Sequence, residues 1–271
     1  MSHRVDRLRP CPSSRPMNAD TDHSLRRRGT ALLYGAACHG IFALAGLAML
    51  VGLFTGMQSG FGAVPQPWAW GANLLLLVQF PLAHSFLLSA RGQSLLARLA
   101  PWGYGKPLAT TTYATIASLQ LLALFTLWTP SETILWRAEG MVFWLMCLAY
   151  AASWLLLTKA SFDAGPSVQS GALGWMALLR GRKPVFPDMP ETGLFRVVRQ
   201  PIYVSFALTL WCVPVWTPDQ ILVATLYTAY CVIAPRFKEE RFSRLYGDRF
   251  RAYRARVPYW VPHLSRRKGD A

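Results

Sequence analysis

Six apolar windows decide what this chain can fold into: residues 30–56, 68–89, 107–128, 138–158, 201–216 and 219–236. A helix needs about 20 apolar residues in a row to cross a hydrocarbon core. Charged residues make up only 15% of the 271 residues, against 53% hydrophobic, and they fall between the windows or at their edges. Inside lipid only helices and closed barrels satisfy every backbone polar group. The reading is therefore an all-α integral membrane protein, a bundle of about six transmembrane helices ending in a C-terminal hairpin. The fifth window is the shortest.

The net charge of +15 is distributed by topology. Laid on the six windows, seven Lys and Arg fall in residues 1–28, three in 90–106, six in 159–199 and eleven in 236–268, all on one face, and only Arg137 lies on the other. Positive charge collects on the cytoplasmic side of a membrane protein. The chain is expected in the inner or cell membrane, multi-pass, with both termini cytoplasmic and its basic face against anionic lipid. No aromatic-basic module or groove-reading helix accompanies the charge, so nucleic acid is not an expected partner. Residues 1–28 read as a disordered basic cytoplasmic tail, 29–262 as one membrane domain and 263–271 as a basic C-terminal tail. The apolar run after the first tail is too long for a signal-peptide core and has no clear cleavage site, so the first span is expected to be retained.

Cys11, Cys38, Cys147, Cys212 and Cys231 form no C-x-x-C and no zinc spacing; four lie in windows and read as packing residues. No metal is expected. A Walker A loop and a G-x-G-x-x-G are both absent, which excludes the soluble nucleotide folds as a source of activity. Gly52 and Gly56 make one G-x-x-x-G, a spacing that lets helices approach closely. The patch Leu173–Leu179 is too short to span and reads as interfacial.

Polar residues within spans are costly and point to protein or to a site. His39 reads as a satisfied packing residue. The second window carries Gln79, Pro81, His84 and Ser85, and His84 is the histidine better placed for a pocket. Asp163, one of few acids on the basic face, either pairs with Lys159 or faces a substrate.

The densest signal frames the last two windows. Gly193-Leu194-Phe195-Arg196-Val197-Val198-Arg199-Gln200-Pro201-Ile202-Tyr203 enters the hairpin; Phe237-Lys238-Glu239-Glu240-Arg241-Phe242 leaves it, followed by Tyr246-Gly247-Asp248-Arg249-Phe250-Arg251-Ala252-Tyr253 and Val257-Pro258. Pro201 suits the first turn of a helix. Backbone amides there favour an anion, and Arg199 offers a planar fork for a carboxylate. Facing acids at Glu239 and Glu240 would supply a separate slot for an ammonium. An amino-acid-like moiety fits such a pair of slots.

This arrangement resembles the isoprenylcysteine carboxyl methyltransferase and phospholipid methyltransferase superfamily, whose pattern runs G-x-[FY]-R-x-x-R-H-P-x-Y, a helix, then E-E with a following [FY]-G-x-x-[FY]-x-x-Y-x-x-x-V-P. Gly193, Phe195, Arg196, Arg199, Pro201, Tyr203, Glu239, Glu240, Tyr246, Gly247, Phe250, Tyr253, Val257 and Pro258 match; Gln200 stands where the pattern has His, and Phe242-Ser243 stands around its usual Leu. Upstream, His84-Ser85, Trp128-x-Pro130, Phe162-Asp163, Gln169 and Gly181-Arg182-Lys183-Pro184 are similar to the methanethiol S-methyltransferase and nurim branch, although Ala109-Thr110 replaces the branch's Glu-Arg pair. The resemblance implies an S-adenosylmethionine-dependent methyltransferase. It places the cofactor against Arg199, Gln200, Pro201, Tyr203, Glu239 and Glu240, and the methyl acceptor, small or lipid-like and apolar, at the membrane face. His84 and Asp163 are then the candidate catalytic residues for proton removal. Two alternatives stand beside this: a non-catalytic nurim-like membrane protein, and an NADPH-dependent membrane reductase, against which the Glu239-Glu240 pair argues.

Overall fold

The computed structural model describes residues 17–100 and 103–262. In chain order the elements are α1 (Met17–Phe54), α2 (Trp68–Leu87), α3 (Ala90–Leu99), α4 (Gly105–Thr126), β1 (Trp136–Arg137), α5 (Gly140–Asp163), α6 (Pro166–Gln169) and α7 (Ala172–Leu179). A 3-10 turn at Gly193–Arg196 precedes α8 (Pro201–Trp211), β2 (Val215–Trp216), α9 (Pro218–Tyr246) and α10 (Asp248–Arg256). Among the described residues five helices, α1, α2, α4, α5 and α9, are long and apolar enough to cross a membrane. They turn large apolar side chains outward. On α5, Met141, Trp144, Leu145, Leu148 and Leu155 are all exposed, as a lipid solvent favours.

The fifth window departs from a full helical span. It yields only the eleven residues of α8, about 16 Å of helix. The cause is local. Pro214 cannot donate to a helix and biases Val213 towards extended backbone. The chain therefore leaves the helix, bends through Cys212–Pro214 and continues as the short strand Val215–Trp216 to reach the start of α9. Its backbone groups find partners inside the protein. Gln220 Nε2 donates to Leu210 O at 2.7 Å, Ala138 N to Pro214 O at 2.8 Å and Leu135 N to Trp216 O at 2.9 Å. The last two flank the antiparallel pair β1–β2, with Trp136 opposite Trp216 and Arg137 opposite Val215.

The largest apolar core lies at the end of the bundle away from the basic segments, where Leu53, Leu77, Leu124, Trp128, Leu210 and Val223 are buried together. Polar ties close that end. Asn73 Nδ2 donates to Thr129 O at 2.8 Å and Thr129 N to Asn73 Oδ1 at 3.0 Å. Asp219, 1% exposed, accepts from Ser131 N at 2.8 Å and Gln58 Nε2 at 3.2 Å. Gly52 and Gly56 serve this packing internally. A Cβ on Gly52 would sit 2.6 Å from the Phe125 ring of α4, and one on Gly56 2.8 Å from Val215 O.

Mid-bundle, Pro81 deprives Leu77 O of its helical donor, and the Tyr227 hydroxyl of α9 donates there at 3.3 Å. Gln120 Nε2 of α4 donates to Gln79 Oε1 at 2.7 Å, a second tie to α2. The apolar patch at 173–179 forms α7, docked on α1 and α4. Trp175 Nε1 donates to His39 Nε2 at 3.1 Å, so His39 is satisfied within the protein.

Candidate functional site

The core occupies one end, and the chemistry gathers at the other, around the start of α8 and the end of α9. The turn into α8 is set by Asp163. Its carboxylate accepts the Leu194 N–H at 2.8 Å and pairs with Lys159 one turn back on α5. Gly193 sits at φ +60° directly over that carboxylate, where a Cβ has no room. Phe195 follows, buried, with the Lys238 ammonium 5.7 Å from its ring centroid. The turn delivers Arg199 and Gln200 to the helix start, with Pro201 in the first turn and no side chain capping its amides.

Arg199 makes a closed set of contacts. Nε and Nη2 donate to the two oxygens of Glu239 at 2.8 and 3.3 Å, and Nη1 donates to Arg254 O at 3.1 Å and Val257 O at 2.6 Å. Its backbone N–H donates to Pro258 O at 2.8 Å, and the guanidinium carbon lies 5.4 Å from the Tyr259 ring centroid. The two side chains are only 10% and 13% exposed, which makes the pair an internal clamp. The sequence reading kept opposite charges apart in two slots; the structure joins Arg199 to Glu239 instead. Segment 254–259 drives the difference, because it covers the guanidinium with backbone carbonyls and leaves no open fork for a ligand.

Gln200 is 3% exposed, and its Nε2 donates to Glu239 Oε1 at 2.8 Å. That bond fixes the amide's orientation and leaves Oε1 a buried acceptor with no partner. Glu240 and Arg241 are exposed, and neither has an ion-pair partner among the described residues. Tyr203 is half-buried and lies within electrostatic reach of Tyr230 and Arg241.

The end of α9 is held from outside. Gly247, at φ +53°, turns the chain into α10. The Tyr253 hydroxyl of α10 donates to Phe195 O at 2.7 Å, and Phe250, Tyr253, Val257 and Met189 pack as one buried cluster. Arg249 reaches Asp188 at 2.6 Å and Glu191 at 2.7 Å. The Arg249 hydrogen bond, followed by the Met189 N–H, holds the Asp188 carboxyl below its ordinary pKa. Burial pushes the Tyr253 phenol up.

On the adjoining side, His84 at the end of α2 places Nε2 2.6 Å from the Tyr113 hydroxyl of α4. Tyr113 and Tyr203 share the electrostatic neighbours Tyr230 and Arg241, and Arg241 also reaches His84. The structure therefore brings His84 together with Tyr113, and Arg199 and Gln200 together with Glu239. It gives both oxygens of Asp163 to Lys159 and Leu194, away from His84. Sequence reading missed Tyr113 and Tyr230 and counted Arg241 only as surroundings. Tyr230 and Arg241 lie eleven positions apart, three turns of one helix face, and that periodicity could have paired them. Nothing local marks Tyr113.

An amino-acid-like cofactor needs acceptors for an ammonium and donors for a carboxylate. Among the described residues Gln200 Oε1 is an orphaned buried acceptor beside Glu239, and further round α9 Glu240 and Arg241 have no ion-pair partner, so group types that suit the ammonium and carboxylate of S-adenosylmethionine are present at this end of the hairpin. Relatives point the same way. The chain is similar to methanethiol S-methyltransferase 1 of Bradyrhizobium diazoefficiens, 29% identical over 86% of this chain and 82% of that protein. It is 28% identical to the methanethiol S-methyltransferase of a Pseudomonas species, over 88% of this chain and 92% of that protein. Nurim of Pan troglodytes is 29% identical over 62% of this chain and 65% of its own length. No family model and no solved structure matches the chain. These relatives are the methanethiol S-methyltransferase and nurim branch that the motifs resembled, and they support a membrane methyltransferase.

Proposed function

We propose that this chain is an S-adenosylmethionine-dependent methyltransferase of the cytoplasmic membrane face whose acceptor is a small thiol. The observation that carries the reading is the Gln200 carbonyl, buried and, among the described residues, without a donor at the mouth of the hairpin, beside the Arg199–Glu239 clamp. A buried acceptor left unmade costs about 1–3 kcal/mol, so the site gains when a ligand N–H or O–H arrives. The relatives' printed name supplies the acceptor class.

The cofactor, when bound, supplies a methyl group already activated on a sulfonium. This chain's residues would do the rest. Gln200 Oε1 would accept from the ammonium, and Glu240 and Arg241, further round α9, would meet the ribose hydroxyls and the carboxylate. Tyr203 and Pro201 line the wall, and the Arg199–Glu239 clamp keeps the two arms of the hairpin in register. Aligning two reactants and excluding water accounts for most of what a protein can add to such a transfer. His84 is the candidate acceptor for the thiol proton. Asp163 shapes the turn that presents Arg199 and Gln200.

The test is incubation of membranes holding the protein with labelled-methyl cofactor, then separation of volatile, lipid and protein products. Label in a volatile thioether is expected; label confined to lipid would refute the thiol acceptor. A second reading, a non-catalytic nurim-like protein, draws on Gln200 in place of the motif's His and on the nurim relatives. It predicts no label in any fraction.

A further inference from the structure

The polar groups at the basic end divide between two sides of α9. Arg199 and Gln200 meet Glu239 on one side. Tyr230, Phe237 and Arg241 recur at helical spacing on another stripe, and His84, Tyr113 and Tyr203 stand within reach of Tyr230 or Arg241 there. This second group draws on α2, α4, α8 and α9 together.

Its centre is His84. The Phe80 and Tyr113 rings flank the imidazole with centroids 5.0 Å away on either count. Nε2 meets the Tyr113 oxygen at 2.6 Å, while Nδ1 is buried with no partner among the described residues. A neutral imidazole carries one proton, and the bond made by one nitrogen decides what the other can do. A merely structural histidine in a low-dielectric setting would be expected to satisfy both nitrogens.

We infer that Tyr113 is a positioning residue: its phenol oxygen accepts the Nε2–H of His84 and so leaves the Nδ1 lone pair to take the proton of an un-ionised thiol. The inference rests on the methyl-transfer reading and refines its acceptor class to thiols that are still protonated at neutral pH. In the step, the S–H proton passes to Nδ1 as the thiol sulfur forms its bond to the methyl carbon. The electron pair of the broken carbon–sulfonium bond stays on the donor sulfur, and the proton on His84 is later lost to water. Groups facing His84 are Tyr113 from α4 and Arg241 from α9. Tyr203 of α8 and Tyr230 of α9 face Tyr113, and Tyr230 lies close to Ser85 beside His84. Asp163 takes no part.

The experiment uses the full chain, purified in detergent, with labelled cofactor and two acceptors: an alkanethiol, protonated at neutral pH, and an aryl thiol, largely ionised there. Tyr113→Phe and His84→Gln are compared with wild type. For the alkanethiol, kcat is expected to fall roughly 100-fold in His84→Gln, the lower end of the range for general acid–base groups, and roughly tenfold in the positioning variant Tyr113→Phe. For the aryl thiol each variant should lose no more than about threefold, since that acceptor brings no proton to remove. Equal losses on both thiols, or no loss on either, overturns the inference. Cofactor binding within about twofold of wild type is the folding check, and His84→Gln carries the same comparison if Tyr113→Phe fails it. A wild type that methylates neither thiol overturns the methyl-transfer reading, and this inference with it. Equal losses in an active enzyme overturn Tyr113's role alone.

Discussion

Glu239 and Glu240 are neighbours in sequence, yet they sit about 100° apart around α9 and face different surroundings. Glu239 is clamped by Arg199 and Gln200 at low exposure. Glu240 is exposed and touches no cation among the described residues. Their alanine variants should therefore fail differently. Glu239→Ala leaves a guanidinium without its anion inside the fold and is expected to cost about 3 kcal/mol of stability, read as a lowered melting temperature in detergent. Glu240→Ala should melt like wild type while binding labelled cofactor at least tenfold more weakly, about 1.4 kcal/mol. Equal cofactor affinity in Glu240→Ala and wild type would remove that side chain from the site. The sequence made both glutamates visible but could not say which was buried, because that depends on where segment 254–259 comes to rest. Gln200 was legible as a departure from its motif, and its orphaned carbonyl only as geometry.

At the scale of elements, much of the C-terminal motif turns out to be architecture. Gly193 makes room for Asp163, Gly247 turns α9 into α10, Tyr253 holds Phe195 O, and Val257-Pro258 offer carbonyls to Arg199. Motif spacing was readable because these contacts demand fixed residue types at fixed positions. Their purpose was not, since, the local turn at Gly247 apart, each partner lies 30 or more positions away. The link from α10 to the 188–191 loop should be sensitive to acid. The folded-state pKa of Asp188 is depressed, so its stabilising contribution is full above the ordinary carboxylate value and fades as pH falls through the lower, folded one. The protection factor of the α10 amides, exchange corrected for its intrinsic pH dependence, is expected to stay flat from neutral pH down through 5 and to fall only below about 4. Arg249→Ala should show the faster exchange at every pH. Loss of protection already at pH 6 would count against the carboxylate link. α8 is the element the sequence described least well: apolarity marked the window, while Pro214 and the partners of its extended exit decided where the helix stopped.

For the molecule as a whole, hydropathy and charge placement carried the fold class, because a bilayer imposes length and orientation on every crossing segment alike. The five long helices lie where the apolar windows indicated. Side-chain meetings across helices, such as His84 with Tyr113 or Tyr227 with Leu77 O, have no such rule and stayed hidden. We predict that the basic end faces the cytoplasm. An alkaline phosphatase reporter fused after residue 262 should be inactive, and one placed in the 57–67 loop active; the reverse pattern would invert the proposed topology. The clamp on Arg199 has one more consequence. Its acceptors at 254, 257 and 258 follow every apolar helix in the chain. Insertion into lipid and maturation of the pocket are thus two separate events in biosynthesis, and a nascent chain halted between them would be anchored yet still inert.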